Sequence, residues 1–205
     1  TRLIRRHESG GRIEAVYEAG PCGFAVYRHL ADLGVPCTVI APALTPVRPG
    51  DRVKTDGRDA AKIARLFRAG ELAAIHVPGT EEESLRDLVR AREDALVERL
   101  RVRQQIAMYL LRHGRIFREA RTWGIRHREW LASQHFDLAA AEATFAAYHR
   151  SHSEAEARLS PLTQQVEDVS KHPRFSALVA ALRALKGIDT LNAVTLAVEV
   201  QDFMR

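Results

Sequence analysis

Two acidic residues have the type and spacing to bind a divalent cation. Asp56 and Asp59 lie three residues apart in the segment Lys-Thr-Asp-Gly-Arg-Asp-Ala. If a helix begins near Thr55, both carboxylates lie on one face of its first turn. Hard cations such as Mg2+ prefer oxygen ligands and are commonly held by a few carboxylates with water and phosphate. With one remote acid, this pair would form a metal site of the nuclease type.

The same two aspartates also suit a helix start that binds no metal. Asp56 would be a good N-cap, Asp59 would stand at the third helical position, and the helix dipole favours negative charge at both places. Because most helices have caps and few helices carry metal sites, the spacing by itself favours capping.

Glu18 lies where a strand is predicted to end. A strand predicted over 12–17 ends at the turn Glu-Ala-Gly-Pro, a helical pattern follows over 24–33, and 36–42 form a short buried strand. This order predicts a parallel α/β sheet, whose strands place chemistry at their carboxyl ends. Taken alone, Glu18 is better explained as a turn glutamate in solvent.

One long helix is predicted after a further short strand over 73–77. Thr80 and Glu83 form a capping box, and the helical pattern continues to about Arg112. Its apolar stripe is interrupted by arginines, so most of these arginines are expected to be solvent-exposed. The stripe runs through Leu85, Val89, Leu96, Ile106 and Leu110, and the interruptions are Arg92, Arg99 and Arg103.

A second long helix is predicted over 138–169, where apolar residues alternate spacings of three and four as in a coiled coil. Pro161 falls inside it and predicts a kink or a break. Because the first long helix offers only a broken partner stripe, part of this seam is expected to pair with another copy of the chain or with a different chain. An antiparallel hairpin within one chain is the competing arrangement.

The charge is unevenly distributed along these helices. The whole chain carries a formal charge of +5, but 86–128 contain 12 Arg against five acids, whereas 137–170 contain six acids and two Arg. The basic stretch is expected to bind a polyanion, with Arg99, Arg101 and Arg103 as candidate contacts. Trp123 and Trp130 lie between the two helices, where they either stack on bases or pack the tip of a hairpin, and packing is favoured.

The last part of the chain predicts two short helices, 175–185 and one from Leu191, around a turn that contains Lys186 and Gly187. This pattern looks like a helix-hairpin-helix, whose turn amides can hold a phosphate, although Asp189 stands where a second glycine is usual. Plain helix packing is the favoured alternative. The expected domains are 1–79, 80–172 and 173–205.

Several classes of protein are excluded. Two cysteines without CxxC spacing predict reduced thiols and a cytoplasmic protein, and no apolar run approaches the ~20 residues that span a bilayer. His149 and His152 lack the further ligands of a zinc site, and no glycine-rich phosphate loop or GxSxG motif is present.

The motif order resembles the DEDD-type insertion-sequence transposases. The matching segments are Tyr-Glu-Ala-Gly-Pro-Cys-Gly at 17–23, Ala-Pro at 41–42, 50–60, Leu-Lys-Gly-Ile-Asp at 185–189, and 199–205. This is the RNA-guided, serine-dependent family, insertion-sequence family one-ten. The resemblance implies a RuvC-like or RNase H-like α/β domain, a coiled coil and the start of a helical second domain, truncated at both ends.

The resemblance also implies a mechanism and its residues. Glu18, Asp56 and Asp59 match three members of the family's Asp-Glu-Asp-Asp set, which would bind Mg2+ near the scissile phosphate. The first aspartate would precede Thr1 and the serine nucleophile would follow Arg205, so this chain alone is expected to be inactive. DNA and a structured RNA are the implied partners. Lys54, Arg58 and Lys186 complete the candidate nucleic-acid contacts.

Two other functions fit the same pattern. A RuvC-like junction nuclease would need its own complete acid set and no serine, and a basic coiled-coil module could bind nucleic acid or dimerise on an inert α/β domain.

Overall fold

A computed structural model describes residues 4, 11–46, 55–201 and 203, and the chain divides into two compact units, Thr1–Gly79 and Thr80–Arg205. In the described parts, no helix combines the length and the apolar character needed to cross a membrane.

The first unit contains a small parallel sheet, as the strand, helix, strand pattern predicts. Strand β1 (Ala15–Glu18) pairs with β2 (Cys37–Ile40) in register from Ala15 opposite Cys37 to Glu18 opposite Ile40. The crossover helix α1 (Ala25–Asp32) joins them, as parallel strands require. A 3-10 turn (Pro42–Leu44) follows β2, and helix α2 (Asp56–Arg68) packs against β1.

The prediction of a strand over 73–77 is wrong. Only an antiparallel bridge between Ile40 and Ala74 forms, with the Ile75 N–H donating to the Val39 carbonyl at 2.9 Å. The run is five residues long and is followed by Pro78, which has no N–H to donate to a ladder, and the segment meets β2 at one point.

The second unit is entirely helical in the residues described. Its first helix has the predicted bounds, and its third begins one residue after the predicted start. The helices are α3 (Thr80–Arg112), α4 (Ile125–Ala132), α5 (Ala139–Val169), α6 (Ser176–Arg183) and α7 (Thr190–Val200).

Helices α3 and α5 form an antiparallel hairpin within the chain. Glu98 pairs with Arg158 at 2.9 Å and Arg103 pairs with Glu156 at 2.5 Å, so positions advance on α3 as they retreat on α5. Toward the tip, both helices bury side chains in one aromatic-rich cluster. Its buried members are Val102, Ile106, Tyr109, Leu110, Leu131, Phe136 and Phe145. The premise that α3 could not cover the α5 seam is therefore wrong.

Helix α5 continues through Pro161, so the predicted break at this proline does not occur. Proline removes one backbone hydrogen bond and crowds the carbonyl four residues earlier, which here belongs to the exposed Ala157. The helix is held by packing on both sides of the proline, because Leu159 and Val166 are buried.

The base of the hairpin shares a second core with α6 and α7. This core buries Val89, Val166, Val169, Phe175, Val179, Ala193, Val194, Ala197 and Val198. The Arg86 guanidinium donates to the Val198 and Glu199 carbonyls, and Arg90 makes a bidentate pair with the Glu199 carboxylate. The helices on both sides of residue 172 therefore belong to one unit, and the expected division between 80–172 and 173–205 is not a structural boundary.

Candidate functional site

Glu18 lies at the carboxyl end of β1, half-buried, as the sheet topology predicts. The backbone holds this end in place, because the Ala19 N–H donates to the Ile40 carbonyl at 2.8 Å. The Thr45 hydroxyl donates to Glu18 Oε1 at 3.1 Å and restricts the carboxylate's orientation. Glu18 is thus a positioned acid rather than a turn residue fully in solvent.

Asp56 and Asp59 occupy the first turn of α2, and both are exposed. The N-cap is Thr55, whose hydroxyl accepts from the Arg58 N–H at 3.4 Å, so the capping role considered for Asp56 is wrong. Because a threonine already serves this helix end, neither aspartate side chain is required for the cap.

Glu18, Asp56 and Asp59 lie on two elements that contact each other, but their carboxylates do not form a three-ligand metal site. Helix α2 packs against β1, which carries Glu18. Within the described ranges, however, no three His, Cys, Asp or Glu side chains lie close enough together to hold a metal ion. The donors are all carboxylate oxygens, which suit Mg2+ in chemical type, but the structure does not bring Glu18, Asp56 and Asp59 together as a three-ligand group.

Arg99 and Arg103 face into the hairpin, contrary to the expectation that the arginines of this stretch are mostly exposed. Their side chains retain only 22% and 19% of their accessible surface. Both guanidinium groups pair with one carboxylate, Glu156, at 3.5 and 2.5 Å. Arg103 Nε also donates to His152 Nε2 at 3.1 Å, and its guanidinium lies 4.6 Å from the centre of the Trp123 ring.

Partial burial and neighbouring charges shift pKa values within this polar cluster. Burial, reinforced by the neighbouring Arg99, lowers the pKa of Arg103. Burial and the charge of Arg103 likewise lower the pKa of His152, although Glu156 acts in the opposite direction. His152 Nε2 accepts a hydrogen bond from Arg103, so this nitrogen carries no proton in the folded hairpin.

Trp123 and Trp130 pack at the hairpin tip, which confirms the favoured interpretation of the two tryptophans. Trp123 stacks on His152 with ring centres 4.7 Å apart, and its backbone N–H donates to Nδ1 of the buried His127 at 3.0 Å. Burial and the charge of Arg103 lower the pKa of His127. Trp123 has a φ of 65°, a conformation that is strained for a bulky residue, so these contacts hold the backbone in place.

Arg101 is the exposed member of the predicted arginine trio. It lines a cavity of about 360 Å³ between α3 and α5, together with Tyr148, Glu154 and the Glu98–Arg158 ion pair. Since acids and bases line it in similar number, the cavity does not select for an anion.

The other residues predicted to contact nucleic acid lie outside the hairpin. Lys54 is outside the described residues, Arg58 is exposed in the first turn of α2, and Lys186 is exposed in the turn before α7. Helix α7 is capped by Asp189, whose carboxylate accepts from the Asn192 N–H at 2.8 Å. This carboxylate occupies the place of a phosphate oxygen at the helix start and repels one, which argues against the phosphate-binding interpretation of this turn.

Sequence reasoning missed Glu156, the carboxylate with which Arg99 and Arg103, both half-buried, are paired. The signal was present: Arg99 and Arg103 are four residues apart on α3, and His152 and Glu156 are four residues apart on α5. Two such pairs on facing helices form one polar layer, but only if the pairing register is known.

Comparison with known proteins identifies the family. The sequence model of the family DEDD_Tnp_IS110, described as "Transposase", matches residues 2–114. The chain is 48% identical over 191 residues, 91% of its length, to "Putative transposase y4qE" of Sinorhizobium fredii (strain NBRC 101917 / NGR234). It is 33% identical over 193 residues, 93% of its length, to "Transposase for insertion sequence element IS1533" of Leptospira borgpetersenii.

The chain spans about half the length of these curated relatives, 44% of the first and 56% of the second. The family match extends over more than half of the chain and includes Glu18, Asp56 and Asp59. This chain therefore belongs to the IS110 family of transposases.

Proposed function

We propose that the chain is part of a recombinase that moves an insertion sequence by metal-assisted cleavage and rejoining of DNA strands, guided by a structured RNA. The observation that carries this proposal is the family match over residues 2–114, which includes all three candidate acids. The first unit would be a partial RuvC-like domain, and its parallel strands with a crossover helix are compatible with that fold.

Glu18, Asp56 and Asp59 would hold the metal in this proposal. Bound Mg2+ would act as a Lewis acid on a scissile phosphate oxygen. The chain's own contribution is to orient the ligands. The Thr45 hydroxyl restricts the Glu18 carboxylate, and because Thr55 caps α2, the side chains of Asp56 and Asp59 are not needed for the cap. Nothing in this arrangement requires the carboxylates to act as a proton donor.

Metal binding can be tested with Mn2+, which accepts the same oxygen ligands as Mg2+ and has a signal in electron paramagnetic resonance. Titrating the chain with Mn2+ should show saturable binding. Glu18→Gln and Asp56→Asn should each weaken it by about tenfold or more, because changes at groups that only orient a metal ligand already weaken binding by about 10–100-fold and these carboxylates would contact the ion directly. Asp32→Asn, an exposed aspartate at the end of α1, is the matched control.

Equal Mn2+ binding by the Glu18 and Asp56 variants and the parent chain would contradict the proposed metal site. The second candidate function would then be favoured, a non-catalytic module that binds nucleic acid. The observation behind that alternative is that no three metal-ligand side chains cluster in the described ranges.

The nucleic-acid contacts are proposed from charge and exposure. Arg58 and Arg101 are exposed, as is Lys186, and Lys54 is retained from the sequence. The hairpin tip adds arginines whose side chains are also exposed. They are Arg118, Arg121 and Arg126. Arg99 and Arg103 are proposed to shape the hairpin, since a guanidinium paired with Glu156 is poorly placed to neutralise a phosphate.

Replacing Arg118, Arg121 and Arg126 together by glutamine should reduce the salt dependence of binding to a structured RNA. Each phosphate contact contributes roughly 0.7–0.9 to the slope of log affinity against log salt, so the slope should fall by about 2 to 3. Fluorescence anisotropy over a salt series measures it. Arg150→Gln with Arg183→Gln is the control, because both are exposed and lie outside the basic stretch. An unchanged slope in the triple variant would exclude the tip as a phosphate-binding surface.

The proposed recombinase works as a homo-oligomer. The α5 seam, which was expected to provide the contact, is covered by α3 of the same chain. Self-association must therefore use another surface.

A further inference from the structure

Helix α4 begins with an apolar side chain that the hairpin tip leaves exposed. Ile125 is the first residue of this helix and is 75% exposed. The helix is buried through His127 and Leu131, and a turn of 100° per residue places these two roughly 160° and 120° around the helix from Ile125. The core of the tip therefore lies on the far side of α4 and does not cover Ile125.

The start of α4 is fixed in place by its neighbours. The backbone N–H of Trp123 donates to His127 Nδ1 at 3.0 Å, and the Trp123 carbonyl accepts from Arg128 Nε at 3.3 Å. The Phe117 ring centre lies 4.9 Å from that of His127. Ile125 is thus presented on a rigid support, so little conformational entropy is lost when it makes a contact.

Arginines surround Ile125 at this helix start. From 121 to 128 the chain contains three arginines and no acid, and the next acid, Glu129, lies one turn further along α4. The Arg121 carbonyl accepts from the Gly124 N–H at 3.4 Å, so the turn brings Arg121 close to Ile125. The three arginines are all exposed. They are Arg121, Arg126 and Arg128. An apolar side chain among cations fits a polyanion that also offers an apolar surface.

Two polyanions offer both features, a nucleic acid and an anionic membrane surface. Proteins commonly use Trp and Tyr to anchor at a membrane surface, but Trp123 and Trp130 pack against the core of the tip. A single isoleucine buries too little apolar area to hold a protein on a bilayer. Isoleucine is, however, among the side chains that proteins insert as wedges between neighbouring bases. The exposed residues of the tip therefore favour a nucleic acid.

The small size of the tip indicates which kind of base step it fits. A wedge forced into a regular duplex unstacks the bases and bends the helix, and proteins that do so offset this cost by wrapping a large surface. Helix α4 has eight residues and is about 12 Å long, so it contacts only a few nucleotides. A step that is already unpaired costs much less to open. Bulges and loops of structured RNA provide such steps.

We infer that Ile125 is a wedge that inserts at an unpaired step of a structured RNA, with the exposed arginines beside it on the flanking phosphates. The inference rests on the RNA contact of the hairpin tip in the proposed function, and it names what the tip recognises. The arginines supply the part of the affinity that depends on salt, whereas Ile125 supplies the preference for an open step. The two parts are therefore separable by mutation.

The test compares two RNA hairpins that differ by one bulged nucleotide. Fluorescence anisotropy should show about tenfold tighter binding to the bulged hairpin, and Ile125→Ala should remove most of this preference because three carbons lose their contact. Binding to the fully paired hairpin should change by less than about twofold, and the salt slope should stay the same because no charge is altered. The fluorescent base aminopurine, placed beside the bulge, should brighten as it is unstacked by the parent chain but not by Ile125→Ala.

Two further variants distinguish a wedge from a general loss of apolar surface. Leu138→Ala removes a side chain that is also 75% exposed but lies beside Asp137 and one turn before Glu142, so it should change neither affinity. Ile125→Met keeps an apolar side chain of similar size and should retain most of the preference. Circular dichroism should be unchanged in all three variants, because every replaced side chain is exposed.

The possible results separate this inference from the proposed function. Loss of the preference in Ile125→Ala, with retention in Ile125→Met and Leu138→Ala, supports the wedge. Equal binding of both hairpins by the parent chain overturns it, and so does an equal loss on both hairpins in Ile125→Ala. In either case the RNA contact of the arginines still stands if the triple arginine variant lowers the salt slope. A bulged DNA hairpin, or phosphatidylglycerol vesicles, bound as tightly and with the same dependence on Ile125 would overturn the assignment to RNA.

Discussion

Replacing Tyr109 by alanine is expected to lower the free energy of unfolding of the helical unit by about 3–5 kcal/mol, the usual cost of removing a buried aromatic ring. Tyr109 is buried at the centre of the tip cluster, with its ring 5.3 Å from that of Phe136 and 5.7 Å from that of Tyr148. Its hydroxyl donates to the Ala141 carbonyl at 2.7 Å. The ring thus joins α3, the connection and α5 at once.

Two further variants separate the ring from the hydroxyl. Tyr109→Phe keeps the ring and should cost only about 1–2 kcal/mol, because one hydrogen bond is lost and the Ala141 carbonyl is left without this donor. Ile125→Ala removes a side chain that is 75% exposed and should change stability by less than about 0.5 kcal/mol. Urea unfolding followed by circular dichroism at 222 nm, the helix signal, measures all three. A loss below 1 kcal/mol for Tyr109→Ala would mean that the tip cluster does not support the hairpin.

The sequence predicted the lengths of the hairpin helices but not their pairing. A capping box at Thr80 and the continuous seam of α5 are local signals, and both helices agree with them to within one residue. The apolar stripe predicted for α3 includes Leu96, which is only half-buried. The residues that face α5 instead follow spacings of four, three, four and three. They are Ala95, Arg99, Val102, Ile106 and Tyr109.

That inner seam was hidden because one of its members is an arginine and another is an alanine. The guanidinium of Arg99 pairs with Glu156, and its aliphatic stem can pack against the facing helix, so a charged residue stands at a half-buried position of the seam. Periodicity identifies an apolar face, but it does not say which partner will cover it. For this reason the α5 seam looked unpaired, and Arg99 and Arg103 looked exposed.

The candidate metal site was predictable in its placement and not in its geometry. Strand order places Glu18 at the carboxyl end of β1, and the Thr-Asp start of α2 places Asp56 and Asp59 in its first turn. Whether three carboxylates converge depends on the path between the sheet and α2. Part of that path, 47–54, lies outside the described residues.

The polar layer of the hairpin is expected to make the helical unit sensitive to mild acid. Two neutral histidines accept hydrogen bonds there: His127 Nδ1 from the backbone N–H of Trp123, and His152 Nε2 from Arg103 Nε. His127 is also packed against the rings of Phe117 and Trp130. Protonation would remove each acceptor and add a positive charge beside Arg103.

The direction follows from proton linkage. The pKa of both histidines is lowered in the folded chain, first by burial and then by Arg103, while the unfolded value is about 6.5. Between these values the unfolded chain binds more protons, so the stabilisation is complete above about pH 6.5 and is lost as pH falls through the folded pKa values. Each unit of difference corresponds to about 1.4 kcal/mol per histidine.

The charges that face the two histidines determine how far this effect extends. Arg103 opposes protonation of both, and Arg99 and His149 oppose protonation of His152, whereas Glu156 favours it from 3.5 Å. The carboxylate is already paired with two guanidinium groups, so it compensates only part of the added charge. His127 has no carboxylate among the causes of its shift, so nothing there offsets burial and the charge of Arg103.

Urea unfolding at a series of pH values between about 5 and 8 should therefore show stability falling on the acid side of about pH 6.5. His127→Asn and His152→Gln each keep an acceptor oxygen near the lost nitrogen but cannot titrate, so the double variant should have a nearly flat profile over this range. His135→Asn is the matched control, since His135 is exposed and should leave the profile as steep as that of the parent chain. A parent profile that is flat from pH 5 to 8 would contradict the neutral state of the pair, and so would a double variant that loses stability as the parent does. Protonation of His127 Nδ1 would also remove the acceptor to which the backbone N–H of Trp123 donates at its φ of 65°.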